Sequence, residues 1–238
     1  MNGKKTSPKA MVKSLKTGAF CCVLLLFWAG CQKPNANFNT RISMLNAVPG
    51  TLPFSVEING RVLTNNLLYG SAKFYEPTPS ATTTVRWKRN SSTGFDSSFV
   101  TDLPNGTDFT LLFFDSVQRY QTVLMRDNWQ QPKSGSQGYL RLLPMVVNAR
   151  SLRLTNDTGR TIISGRAFAD FKNSTSLQGF TATDTTTNNT YKLFNGSVLL
   201  DSIMGVNVLG GTSYSIYAIG VLNATGVNKP KLVLHQHQ

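Results

Sequence analysis

The stretch RISMLNAVPGTLPFSVEINGRVL, residues 41 to 63, sets the period of the chain. Within it Phe54, Val56 and Ile58 alternate with Ser55, Glu57 and Asn59. Alternation of period two places the apolar side chains on one face of a strand. The run ends at Asn59-Gly60, a pair favoured in two-residue hairpin turns because both residues tolerate positive φ. The same grammar recurs in FTLLFFD (109 to 115) after Asn105-Gly106, in SVLLD (197 to 201) after Asn195-Gly196, and in SYSIYAIG (213 to 220) after Gly210-Gly211. Short strands punctuated by Gly and Asn indicate an all-β sandwich or barrel, and no stretch carries a convincing amphipathic-helix period.

The two halves of the chain match each other. RISMLNAVPG from Arg41 corresponds to RLLPMVVNAR from Arg141, and INGRVLTNNLLYGSAKF resembles DTGRTIISGRAFADF, with Gly60-Arg61 opposite Gly159-Arg160. LPNGTDFTLLFFD resembles VLGGTSYSIYAIG, and YQTVLMR and PKLVLHQ close the two units. A spacing near 100 residues suits a duplicated sandwich rather than a solenoid. The expected organisation is therefore a first β-sandwich domain over 41–126, a second over 139–238, and the polar DNWQQPKSGSQG, 127 to 138, as the linker between them.

Asn46, Ala47 and Pro49 after the first strand, the strand Phe54 to Gly60, and Tyr69-Gly70 in YGSAKFYEPTPS resemble the domain of unknown function family 4397. That family occurs in secreted and lipid-anchored bacterial proteins. The resemblance is good over 41 to 126 and weaker over 139 to 238. It implies two tandem immunoglobulin-like β-sandwich domains in an exported protein, and it brings no activity, ligand or catalytic residue.

The start of the chain points to export as well. Residues 1 to 30 carry Lys4, Lys5, Lys9, Lys13 and Lys16, then an apolar run from Ala19 to Trp28, then Ala29-Gly30 before Cys31. The run is too short for the roughly 20 apolar residues that span a bilayer, so a removed signal peptide is expected. The small pair before Cys31 resembles a bacterial lipobox, although Trp28 stands where a Leu-like residue is usual. That resemblance implies acylation of Cys31, a stable membrane anchor of several chains, and a polar tether over 31–40. By resemblance to lipoprotein sorting signals, Gln32 rather than Asp after the cysteine implies the outer membrane, with the protein facing the periplasm or the cell surface. Cys21, Cys22 and Cys31 are the three cysteines, so the body has neither a disulfide framework nor a thiolate metal site. Without the five leader lysines the net charge falls from +13 to +8.

Candidate chemistry is sparse. VRWKRN, 85 to 90, brings together Arg86, Trp87, Lys88 and Arg89, the candidate polyanion-binding residues, set against the plainer reading of a half-buried strand whose charges would guard a sheet edge. His235 and His237 lack a third ligand nearby and read as a frayed C-terminal tail. Seven Asn-x-Ser/Thr triplets, from Asn90 to Asn223, read as turn chemistry, and FTATDTTTNNTYK, 180 to 192, as a hairpin with an exposed loop. Asp115-Ser116-Val117 and Asp201-Ser202-Ile203 resemble a short bacterial O-glycosylation signal. The body has no histidine-based or thiol nucleophile system, no phosphate loop and no calcium loop, and no cofactor or metal is expected. The expected role is non-catalytic: a lipid-anchored envelope module contacting envelope glycans or other envelope proteins, without nucleic acid. The alternative is a polysaccharide-processing enzyme or enzyme subunit using a carboxylate pair drawn from Glu57, Glu76 and the nine aspartates.

Overall fold

The computed structural model describes residues 39–115, 119–128 and 135–237. Cys31 and the leader lie outside the described residues, as does Ser116. The chain from Asn37 to Gln238 forms one compact unit. It is all-β: among the described residues the only helical pieces are three short 3-10 turns, at Asp170–Lys172, Thr175–Gln178 and Gly226–Asn228.

Eight strands build the first pair of sheets: β1 (Thr40–Ala47), β2 (Phe54–Ile58), β3 (Arg61–Leu67), β4 (Ala72–Thr78), β5 (Thr82–Arg89), β6 (Ser97–Asp102), β7 (Asp108–Asp115) and β8 (Tyr120–Arg126). Eight more build the second: β9 (Gln137–Val147), β10 (Leu152–Thr155), β11 (Thr161–Arg166), β12 (Thr181–Asp184), β13 (Thr186–Asn195), β14 (Val198–Val208), β15 (Ser213–Val221) and β16 (Lys231–Gln236). The sheet orders are β4-β1-β7-β8 and β3-β2-β5-β6, then β12-β9-β15-β16 and β11-β10-β13-β14. The second pair repeats the first with every strand number raised by eight. Each sandwich keeps the two-sheet architecture of the immunoglobulin class with a pairing of its own: eight strands, and a first strand running parallel to the seventh.

The expected hairpin at Asn59-Gly60 joins β2 and β3, with φ of 48° and 80°, both on the side that a type I′ turn needs. Each sandwich has its own core. Phe54, Trp87 and Phe113 meet in the first, with ring centroids 4.9 to 5.5 Å apart, and Leu142, Leu154, Tyr191 and Ile216 lie in the second. A third core joins the two sandwiches: Leu45, Leu112 and Phe114 of the first pack with Leu143, Met145, Tyr217 and Ile219 of the second. Strands β1, β7, β9 and β15 are therefore covered on both faces, which is why they read as near-continuous apolar runs.

Several expectations change here. The stretch expected to be a linker enters the fold at both ends: Asp127 is buried and donates its backbone N–H to the Asp108 carbonyl, while Gln137 opens β9. The run 180 to 192 is not a hairpin, because β12 pairs with β9 and β13 with β10 and β14, so the chain crosses between sheets at Thr185. The match between the halves also shifts by two residues. With Thr110 set opposite Ser215, the parallel registers Ser43↔Thr110 and Arg141↔Ser215 put Arg141 opposite Ser43 rather than Arg41. A two-residue slip preserves the face, so the apolar pattern alone cannot detect it.

Candidate functional site

The residues singled out in VRWKRN occupy β5, an inner strand between β2 and β6 rather than an edge. Val85 and Trp87 point into the first core, and Trp87 is fully buried, so its ring presents no platform to a ligand. On the outer face Arg86 is ion-paired to Glu57 across the sheet and lies 4.4 Å over the Phe95 ring. Arg89 bonds both oxygens of Asp96 and stacks on Tyr120. Only Lys88 of the three cations forms no ion pair among the described residues.

His235 and His237 are not a frayed tail. Both are 1% exposed, because β16 pairs along β15 in the register Ser215↔His235 and turns its odd-numbered residues toward the other sandwich. Their rings stack 4.4 Å apart, with the edge of Phe74 against His235 at 4.8 Å.

The His237 imidazole belongs to a buried polar array at the start of β1, β7, β9 and β15, while His235 joins it by ring stacking alone and its buried Nε2 has no hydrogen-bond partner among the described residues. The Arg141 guanidinium donates from Nη2 to Asp127 Oδ1 at 2.6 Å and from Nε to Ser215 Oγ at 2.5 Å. Ser215 Oγ lies 2.6 Å from His237 Nε2, and His237 Nδ1 lies 2.9 Å from the Tyr75 hydroxyl. Tyr75 donates to Asp127 Oδ2 at 2.9 Å, and Thr110 donates to the same oxygen at 2.7 Å. One set of proton positions satisfies the whole circuit: Ser215 donates to Nε2, and a neutral His237 donates from Nδ1 to Tyr75. The result is a closed ring, Arg141–Ser215–His237–Tyr75–Asp127, in which β4 and the end of β8 come from the first sandwich and β9, β15 and the end of β16 from the second.

Burial explains the titration of its members. It pushes the Tyr75 phenol strongly upward, with the Asp127 charge adding to it. Both histidines are pushed down, by burial first and by the Arg141 charge second, His235 to about 4. The Phe180 ring closes one side, 4.7 Å from the Arg141 guanidinium carbon. Arg41, held by Asp108 through two hydrogen bonds of 2.8 and 2.5 Å, stacks on Tyr75 at 5.1 Å. A depression of about 230 Å³ lined by Thr107, Asp108, Arg126 and Asp127 opens beside the ring, and its two carboxylates are the ones Arg41 and Arg141 hold.

The carboxylates considered for glycosidic chemistry are mostly held by cations too. Glu57, Glu76, Asp96, Asp170 and Asp184 each sit in an ion pair, and Asp201 caps the Leu232 backbone N–H at 2.7 Å. No group of three or more His, Cys, Asp or Glu with metal-binding geometry occurs among the described residues. No helix there is long and apolar enough to cross a membrane. Of the triplet asparagines, Asn223 holds positive φ in a turn and Asn156 accepts from the Arg160 N–H, the turn roles expected of them, whereas Asn188 holds its positive φ inside β13, where the pairing with β14 is irregular.

Residues 40–155 match the family model described as Domain of unknown function (DUF4397). The match runs from β1 through β10, so it takes in the whole first sandwich and the opening two strands of the second. No curated protein matches the chain. Among solved structures, the chain is similar to CBMbc (family CBM26) from Eubacterium rectale Amy13K in complex with maltoheptaose, at 9% identity, over 84% of this chain and 97% of that one, with a TM-score of 0.25.

Proposed function

We propose that the protein is a non-catalytic binding or structural module of the cell envelope, anchored through acylated Cys31 in the outer membrane and built from two tandem copies of the family domain. The observation that supports this most directly is the closure of the buried ring. The groups that a hydrolase would deploy as acid, base and orienting charge are here hydrogen-bonded to one another between two sheets, where they fasten one sandwich to the other. A rigid pair of sandwiches then presents its loops as a fixed surface, the usual place for recognition on such scaffolds.

Two experiments test separate parts. Labelled palmitate supplied to cells should enter the protein and fail to enter the Cys31→Ala variant; equal labelling of both would remove the anchor. A glycan array together with a hydrolase panel should return binding without turnover. Turnover abolished by substituting one aspartate or glutamate would establish the enzyme reading instead.

A further inference from the structure

The parallel pairings β1 with β7 and β9 with β15 send the C-terminal ends of all four strands to the end of the molecule away from the ring. The loops that leave those ends come from both sandwiches and touch. A methyl group placed on Gly50, in the loop after β1, would lie 3.5 Å from the Asn228 amide, and the Lys231 ammonium sits 4.4 Å over the ring of Tyr69. Three apolar side chains crown these neighbouring loops with no core to enter: Leu52 at 53% exposure, Leu68 at 51% and Val227 at 74%.

The cations are paired differently along the same axis. Near the ring, Arg41, Arg141 and Arg160 each have a carboxylate partner, whereas Arg61 and Arg126 form no ion pair among the described residues. At the loop end, Arg119, Arg150, Lys172, Lys229 and Lys231 form no ion pair among the described residues, and all but Lys231 are exposed. Their alternatives are neutral groups: Lys172 meets Gln121, and Lys231 meets Tyr69. Apolar tips at the same end as cations without carboxylate partners suit a surface that is negatively charged outside and hydrocarbon a few ångströms beneath. A soluble polyanion would use the cations and leave the apolar tips in water.

We propose that this loop end docks on an anionic lipid surface, with Leu52, Leu68 and Val227 entering the headgroup layer and Lys229 and Lys231 meeting lipid phosphates. The proposal deepens the binding role above and rests on it, but it does not depend on Cys31. The test is co-sedimentation of residues 37–238, the compact unit, with vesicles of phosphatidylcholine alone or mixed with phosphatidylglycerol. Partition into the mixed vesicles alone is expected, weakening as salt rises. Lys229→Glu with Lys231→Glu should lower it by at least about tenfold. Val227→Ser, neutral and at an exposed position that leaves the fold intact, should lower it roughly fivefold. Equal partition into neutral vesicles, absence of vesicle binding, or indifference to Val227→Ser would overturn the proposal. Capture by soluble polygalacturonate without vesicle binding would also overturn it and assign the surface to acidic glycans. Each of these outcomes leaves the palmitate result at Cys31 standing, because the tested unit lacks that residue.

Discussion

The two sandwiches meet through one continuous surface with two chemistries. At the starts of β1, β7, β9 and β15 the contact is the ring around Arg141 and Asp127, whose side chains are 1% and 0% exposed. At the ends of the same strands it is Phe114 packed against Phe168 and Phe171, with centroids 6.0 and 5.7 Å apart. Apolar packing stabilises association but tolerates sliding. A closed ring of charged hydrogen bonds does not, since a slip of two residues along β9 would leave a buried guanidinium without its carboxylate. Labour is divided along the interface: the apolar end supplies most of the stability and the polar end fixes the register.

The largest effect should come from opening the ring. Asp127→Ala leaves Arg141 charged and unpaired in the interior and should cost about 4 kcal/mol in urea unfolding. Replacing both partners, Asp127→Leu with Arg141→Met, should recover most of that loss; if the double variant is as unstable as the single one, the ring is more than a paired charge. At the apolar end, Phe171→Ala should cost about 3 to 4 kcal/mol by leaving a cavity, while the pH dependence stays that of the parent protein.

Acid should act on the polar end alone. The folded pKa of each histidine lies below its ordinary 6.5, so protonation favours the unfolded chain. Stability is therefore full above about pH 6.5 and falls as pH drops through 6.5 toward 4, by about 3 kcal/mol for His235. In His235→Leu the slope of unfolding free energy against pH over that window should shrink by about 1.4 kcal/mol per unit. An unchanged slope would mean that the imidazole is not held neutral. The smallest effect belongs to the outer face, where Glu57→Gln neutralises the partner of Arg86, whose side chain is 39% exposed, and should change stability by less than about 1 kcal/mol.

The sandwich was legible because it is local. Alternation in Phe54, Val56 and Ile58 and the turn at Asn59-Gly60 need only neighbouring residues, and so does the half-buried strand read in VRWKRN, whose Val85 and Trp87 face the core. The ring was not legible, since Tyr75 and His237 are 162 residues apart and Arg141 and Ser215 are 74 apart. Charged and terminal residues are usually solvated, so Asp127 read as linker and His237 as tail. One signal did exist. The alternation expected of FTLLFFD and SYSIYAIG does not hold: Leu111 to Phe114 and Ile216 to Ile219, like most of YLRLLPMVV, are apolar at consecutive positions, which is the mark of strands covered on both faces, and a second layer had to lie against each of them. Within such a run, Arg141 was the residue out of place.

The central claim is that the ring and the apolar contact make the two sandwiches one cooperative body. Native-state hydrogen exchange tests it most directly, comparing amides of β5 in the outer sheet of the first sandwich with amides of β13 in the outer sheet of the second. The two sets should open with the same free energy in the parent protein and separate into two values in Asp127→Ala. Two different opening free energies in the parent protein would show that each sandwich unfolds alone, and would contradict the claim.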